Sequence, residues 1–153
     1  MSLLRDIIGR VGRTVTAYAG DKALMLAAVS AAANVIVADG EVAGREFDAA
    51  LQGLRADPVL MKGYDALMLE TELYEGIARA RTRLGRAENL RHVGAISERP
   101  AIQRENVFLI AADVADQDGI SNIEASALGE IAAALRVDGV GLLRANPVRH
   151  PPA

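Results

Sequence analysis

Apolar residues recur along this chain at helical spacing from end to end, and no stretch alternates as a strand does. Residues 2–18 place Leu3, Leu4, Ile7, Ile8, Val11, Val15 and Tyr18 on one face, the spacing of an amphipathic helix. Gly20 is a stop, and Asp21 is suited to cap a second helix that runs to about Ala38. This second pattern is apolar on nearly all sides (Leu24, Met25, Leu26, Ala28, Val29, Val35, Ile36, Val37), which predicts the buried centre of the fold. An amphipathic helix from about Ala43 to Arg55 follows, with Phe47, Ala50, Leu51 and Leu54 on one side. Asp57-Pro58 reads as a cap and first helical position, and Gly63 should interrupt the short helix it opens.

The pattern then predicts a helix over residues 65–84, ended by Gly85, and another over 86–96. Ser97 is suited to cap a strongly apolar helix that tolerates Pro100 in its first turn and runs to about Ala115. Ser121-Asn122-Ile123-Glu124 reads as a capping box for a helix ending near Arg136. The tail after Asn146, with Pro147, Pro151 and Pro152, reads as disordered. The expected architecture is all-α: a single-domain, pseudo-symmetric bundle of about seven to eight helices over residues 1–146, followed by a tail over 147–153. The pseudo-symmetry lies in a repeated order of apolar helix, acidic turn and amphipathic helix, separated by a more polar middle over residues 57–96.

Those acidic turns hold the candidate chemistry. The first reads Ala38-Asp39-Gly40-Glu41-Val42, with Glu46 following. The second reads Ala115-Asp116-Gln117-Asp118-Gly119-Ile120, with Glu124 following. Neighbouring carboxylates repel, and the repulsion is relieved by a raised pKa or by a bound cation. Calcium and magnesium prefer oxygen ligands, so Asp39, Glu41, Asp116 and Asp118 are suitable types, with Glu46 and Glu124 placed to reach back over the turns. The second turn is not an EF-hand, because Gly119 comes too early and Glu124 arrives too soon to be its terminal ligand. Ordinary turn and capping chemistry recruits the same residues, and that reading stays open.

At these residues the chain resembles the tellurite-resistance TerB family, whose pattern matches both acidic turns and the following Ala127-Leu128 and Ile131-Ala132-Ala133-Ala134-Leu135. The likeness covers roughly residues 1–143. It implies an all-helical fold with the two turns close together. It further implies a cytoplasmic, non-enzymatic protein linked to tellurite and other stress responses, binding metal through its acidic surface and joining membrane-associated complexes at the inner membrane face. Carried over by position, the metal-binding candidates are Asp39, Glu41, Glu46, Asp116, Asp118 and Glu124. The chain departs from the family where Ala43-Gly44 replaces a polar cap before Glu46, and its second turn is one residue longer than its first. A metal-free scaffold that docks a protein partner or a membrane is the alternative.

Composition narrows the rest. Alanine and leucine dominate, aromatics are few and Trp is absent, which favours helix over strand. A length of 153 residues suits one domain. A net charge of −3 does not point to nucleic acid. The absence of cysteine excludes disulfides, thiolate zinc sites and cysteine nucleophiles. No apolar run is long enough to span a bilayer, and Arg5, Asp6, Arg10 and Arg13 interrupt any signal-peptide core. Arg5, Arg10 and Arg13 beside the apolar stripe permit contact with a membrane surface, although packing on the core is the favoured reading.

Arg79, Arg81, Arg83 and Arg86 form a basic run extended by Arg91 and His92, and the spacing of Arg79, Arg83 and Arg86 allows them to share one helix face. A solvated surface is the favoured reading, and an acidic or phosphate-bearing partner the sharper one. His92 and His150 match no metal or triad spacing. No phosphate-binding loop, dinucleotide fingerprint or nucleophile motif is present, so an enzyme is not expected.

Overall fold

A computed structural model describes residues 20–148. The expected N-terminal helix over residues 2–18, its arginines, and residues 149–153 of the expected tail lie outside the described residues. Among the described residues all regular structure is helical. The helices are α1 (Lys22–Ile36), α2 (Gly44–Ala56), α3 (Pro58–Met61), α4 (Ala66–Ala80), α5 (Arg83–Gly94), α6 (Ala101–Ala115), α7 (Asn122–Leu135) and α8 (Gly139–Ala145).

Local chemistry starts most of these helices. Asp21 caps α1, its Oδ1 accepting from the Leu24 N–H at 3.1 Å. Asp57 caps α3 with Pro58 in the first position. Ser121 and Glu124 form the reciprocal box that opens α7. The apolar girth of α1 then dictates the packing. A helix hydrophobic on all sides must be enclosed, and α1 is covered by α4, α5 and α6, with α2 and α7 touching it more lightly. Leu24, Met25 and Ile36 of α1 are fully buried with Leu54, Leu73, Phe108 and Ile131 from its neighbours. Each such side chain contributes roughly 1.5–3 kcal/mol on burial.

The middle of the chain departs from the sequence reading. The helix expected over 65–84 ends at Ala80, and the next begins at Arg83 because the Thr82 hydroxyl accepts from the Gly85 N–H at 3.0 Å. Gly85 thus lies in the first turn of α5 and is not a stop. The break also separates the arginines that one helix face could have shared. Arg79 turns inward to donate from Nε to Asn89 Oδ1 at 2.8 Å, while Arg86 sits 3.9 Å from Glu130. Ser97 caps nothing; its N–H donates to the Gly94 carbonyl in a turn, and α6 starts after Pro100. The residue before proline is disfavoured in helical geometry, so Arg99 stays outside. Its guanidinium instead grips the Asp21 carboxylate at 2.6 and 3.1 Å, which holds that carboxyl below its ordinary value. Helix α8 lies in a stretch to which the sequence reading assigned no element, capped by Asp138 accepting from the Gly141 N–H.

A polar network crosses the apolar centre. Asn89 Nδ2 donates to Asn34 Oδ1 at 2.9 Å and to the Gly76 carbonyl at 3.1 Å, and Asn34 Nδ2 donates to the Arg86 carbonyl at 3.2 Å. This joins α1, α4 and α5 at one buried point. Asn89→Leu would strand three partners in the interior, and an unpaired buried polar group costs about 1–3 kcal/mol. The expected outcome in urea unfolding followed by circular dichroism is a loss of about 2–3 kcal/mol, and a loss below about 0.5 kcal/mol would contradict this role.

Candidate functional site

Both acidic turns are built by the same device. After α1, Gly40 adopts φ 85°, and after α6, Gly119 adopts φ 90°. Glycine reaches this left-handed region at little cost, so each turn reverses tightly into the next amphipathic helix. In the first turn Asp39 Oδ1 accepts from the Glu41 N–H at 3.0 Å. In the second, Asp116 ends α6, its N–H donating to the Ala112 carbonyl at 2.9 Å.

The two turns meet at one end of the bundle. Arg45, in the first turn of α2, forms an ion pair with Asp118 of the second acidic turn. Both side chains are well exposed, so the pair adds little stability. Its significance is positional: the first turn's helix supplies the counter-charge for the second turn.

Glu46 is the focus of the arrangement. Its carboxyl is pushed up to about 7, first by loss of water, then by the charges of Asp39 and Glu124, with Arg45 partly offsetting them. A carboxylate in the first turn of a helix is ordinarily favoured by the macrodipole, so the shift runs against its local setting. Glu46 Oε2 is buried and has no hydrogen-bond partner among the described residues. Glu124 is buried and partly committed, its Oε1 accepting from the Ser121 N–H at 3.1 Å. Phe47, beside Glu46, packs on Tyr74 with ring centroids 4.8 Å apart.

The sequence-predicted residues therefore divide. Asp39 and Glu124 both act on Glu46. Asp118 is engaged by Arg45. The Glu41 side chain is exposed, and its backbone N–H serves the turn. Asp116 lies on a different wall, beside Asp113 in a groove between α2 and α6. The oxygen-only donor set suits a hard cation. Among the described residues, however, no three potential ligands are gathered closely enough to hold a metal ion, so coordination requires the side chains to close in.

Sequence reasoning missed Arg45, Asp48 and Asp113. Asp113 is pushed above its ordinary value by loss of water and then by Asp116. The signal was present as spacing: Arg45, Asp48 and Gln52 recur at helical intervals on α2, and Asp113 stands one turn before Asp116. Comparison with protein-family models, curated proteins and solved structures finds no match for this chain.

Proposed function

We propose that this chain is a TerB-like, non-enzymatic interaction module whose paired acidic turns take up a divalent cation, calcium or magnesium, and present that surface to a protein partner. The family likeness extends the proposal to a tellurite- or stress-linked complex at the inner face of the membrane. No helix among the described residues is long and apolar enough to cross a bilayer, and the attachment is read as peripheral.

One observation supports this reading above the others: a carboxyl of one turn is acted on by the charges of carboxyls from both turns, and one of its oxygens has no hydrogen-bond partner among the described residues. Such an arrangement favours a proton or a cation over an isolated negative charge. Asp39, Glu46 and Glu124 would hold the ion. Titration calorimetry with calcium and with magnesium at pH 8 tests it. The expected result is measurable heat and a rise in melting temperature with millimolar ion, since a ligand that binds only the folded state stabilises it. Asp39→Asn combined with Glu46→Gln should remove both effects. No heat with either ion up to about 10 mM would overturn the cation reading.

The Arg45–Asp118 pair favours a second reading, a metal-free scaffold in which the protein neutralises its own turns. That reading predicts that Asp39→Asn with Asp116→Asn abolishes partner capture and leaves ion sensitivity unchanged.

A further inference from the structure

The groove between α2 and α6 lies apart from Glu46. It consists of two adjoining hollows of about 540 and 240 Å³, and a third of about 530 Å³ continues over α6 toward α8 and Val148; Asp113 borders all three. Its walls are apolar and small where the helices approach, with Gly53, Ala56, Leu109 and Ile110 exposing carbon to the cleft. Its rim is acidic: Asp48, Asp57, Asp113 and Asp116 border it. Arg45 is the basic residue among the described lining residues, and Asp118 already engages it. Among the described residues Asp48 and Asp113 form no ion pair.

We propose that this groove is a docking site for a cationic, apolar-anchored segment of a partner protein. Lysine or arginine side chains would meet the aspartate rim, and intervening aliphatic side chains would enter the hollows beside Leu109 and Ala56. Charge complementarity selects this occupant. An acidic segment would add repulsion to carboxylates already crowded at Asp113 and Asp116, and a purely apolar one would leave the rim charges facing low-polarity surface. The proposal is independent of cation binding at Glu46.

The test uses fluorescence anisotropy on the full chain with three end-capped, labelled probes: a peptide alternating Lys and Leu, its Glu–Leu counterpart, and a Lys–Ser counterpart. The Lys–Leu peptide is expected to bind at least about tenfold more tightly than either control, and to weaken as salt rises. Asp113→Asn should weaken it by about fivefold, and Ala56→Lys, at an exposed position that both fills the cleft and reverses its charge, by at least about tenfold. Circular dichroism melting keeps a folding defect from being mistaken for lost binding. Binding should be the same with a chelator as without it, so failure of the cation reading leaves this result intact. Equal binding of the Glu–Leu peptide, or no effect of Ala56→Lys, overturns the proposal. So does peptide binding that appears only with Arg149→Glu, which would make the chain's own tail the occupant. A wild-type dimer that Ala56→Lys converts to monomer would assign the groove to a second copy instead.

Discussion

Gly85→Ala is expected to destabilise the protein by about 3 kcal/mol or more, lowering the melting temperature by roughly 6–12 °C. A Cβ at this position would stand 1.9 Å from the Arg79 carbonyl oxygen and 2.6 Å from its carbon. Those are backbone atoms, so no side-chain rotation relieves the overlap. The α4–α5 junction must open, and with it the hold of Arg79 and the Gly76 carbonyl on Asn89. Gly129→Ala provides the control. It lies in α7 with nothing within 4 Å of an added Cβ, and alanine is the better helix former there. Calorimetric melting that shows the two variants within about 2 °C of each other would contradict the packing assigned to Gly85.

Glu46→Gln is expected to stabilise the protein at pH 8 and to do little at pH 5. The Glu46 carboxyl is raised from an ordinary 4.5 to about 7 in the folded chain. Between about pH 4.5 and 7 the folded state holds a proton that the unfolded chain has released, so this group's contribution to stability is full below about pH 4.5 and falls across that window. The advantage is lost as pH rises through about 7, where the folded chain must bear the charge. Glutamine carries no charge at either pH. After allowance for partial exposure the gain at pH 8 is about 2 kcal/mol, shrinking toward zero as the pH falls. Urea unfolding at pH 5, 6.5 and 8 measures it. A difference that stays constant with pH would remove Glu46 from the proposed role. Under the cation reading, millimolar calcium narrows the gap at pH 8 by stabilising the wild type alone.

The sequence made some parts of this molecule plain and concealed others. Asp21, Asp57-Pro58 and the Ser121–Glu124 box announce helix starts because a cap bonds to residues two or three positions away, within reach of a local pattern. The encircled helix α1 was equally legible, since an apolar surface on every side has to be enclosed. Gly85 misled because a glycine that ends a helix and one that admits a neighbouring carbonyl look alike without the partner. Arg79 misled similarly. Its place in a basic run suggested solvent, while its actual partner, Asn89, is fixed by the break at Thr82.

At the candidate site, the two acidic turns were visible as a repeated motif, and the glycines at their tips behave as expected. Their division into a Glu46 group and an Asp113–Asp116 wall was not visible. That division depends on how α2 crosses α6, which places Arg45 against Asp118 across a long sequence separation. The TerB likeness implied that the turns approach each other, but it gave no hint of the arginine between them.

The decisive measurement is the titration of the Glu46 side-chain carboxyl, followed by carbon NMR in wild type, Asp39→Asn and Glu124→Gln, with and without calcium. A midpoint near 7 in wild type, lowered by either substitution and lowered again by calcium, is the predicted result. A midpoint near 4.5 that neither substitution nor calcium moves would show that the two turns do not act on a common group.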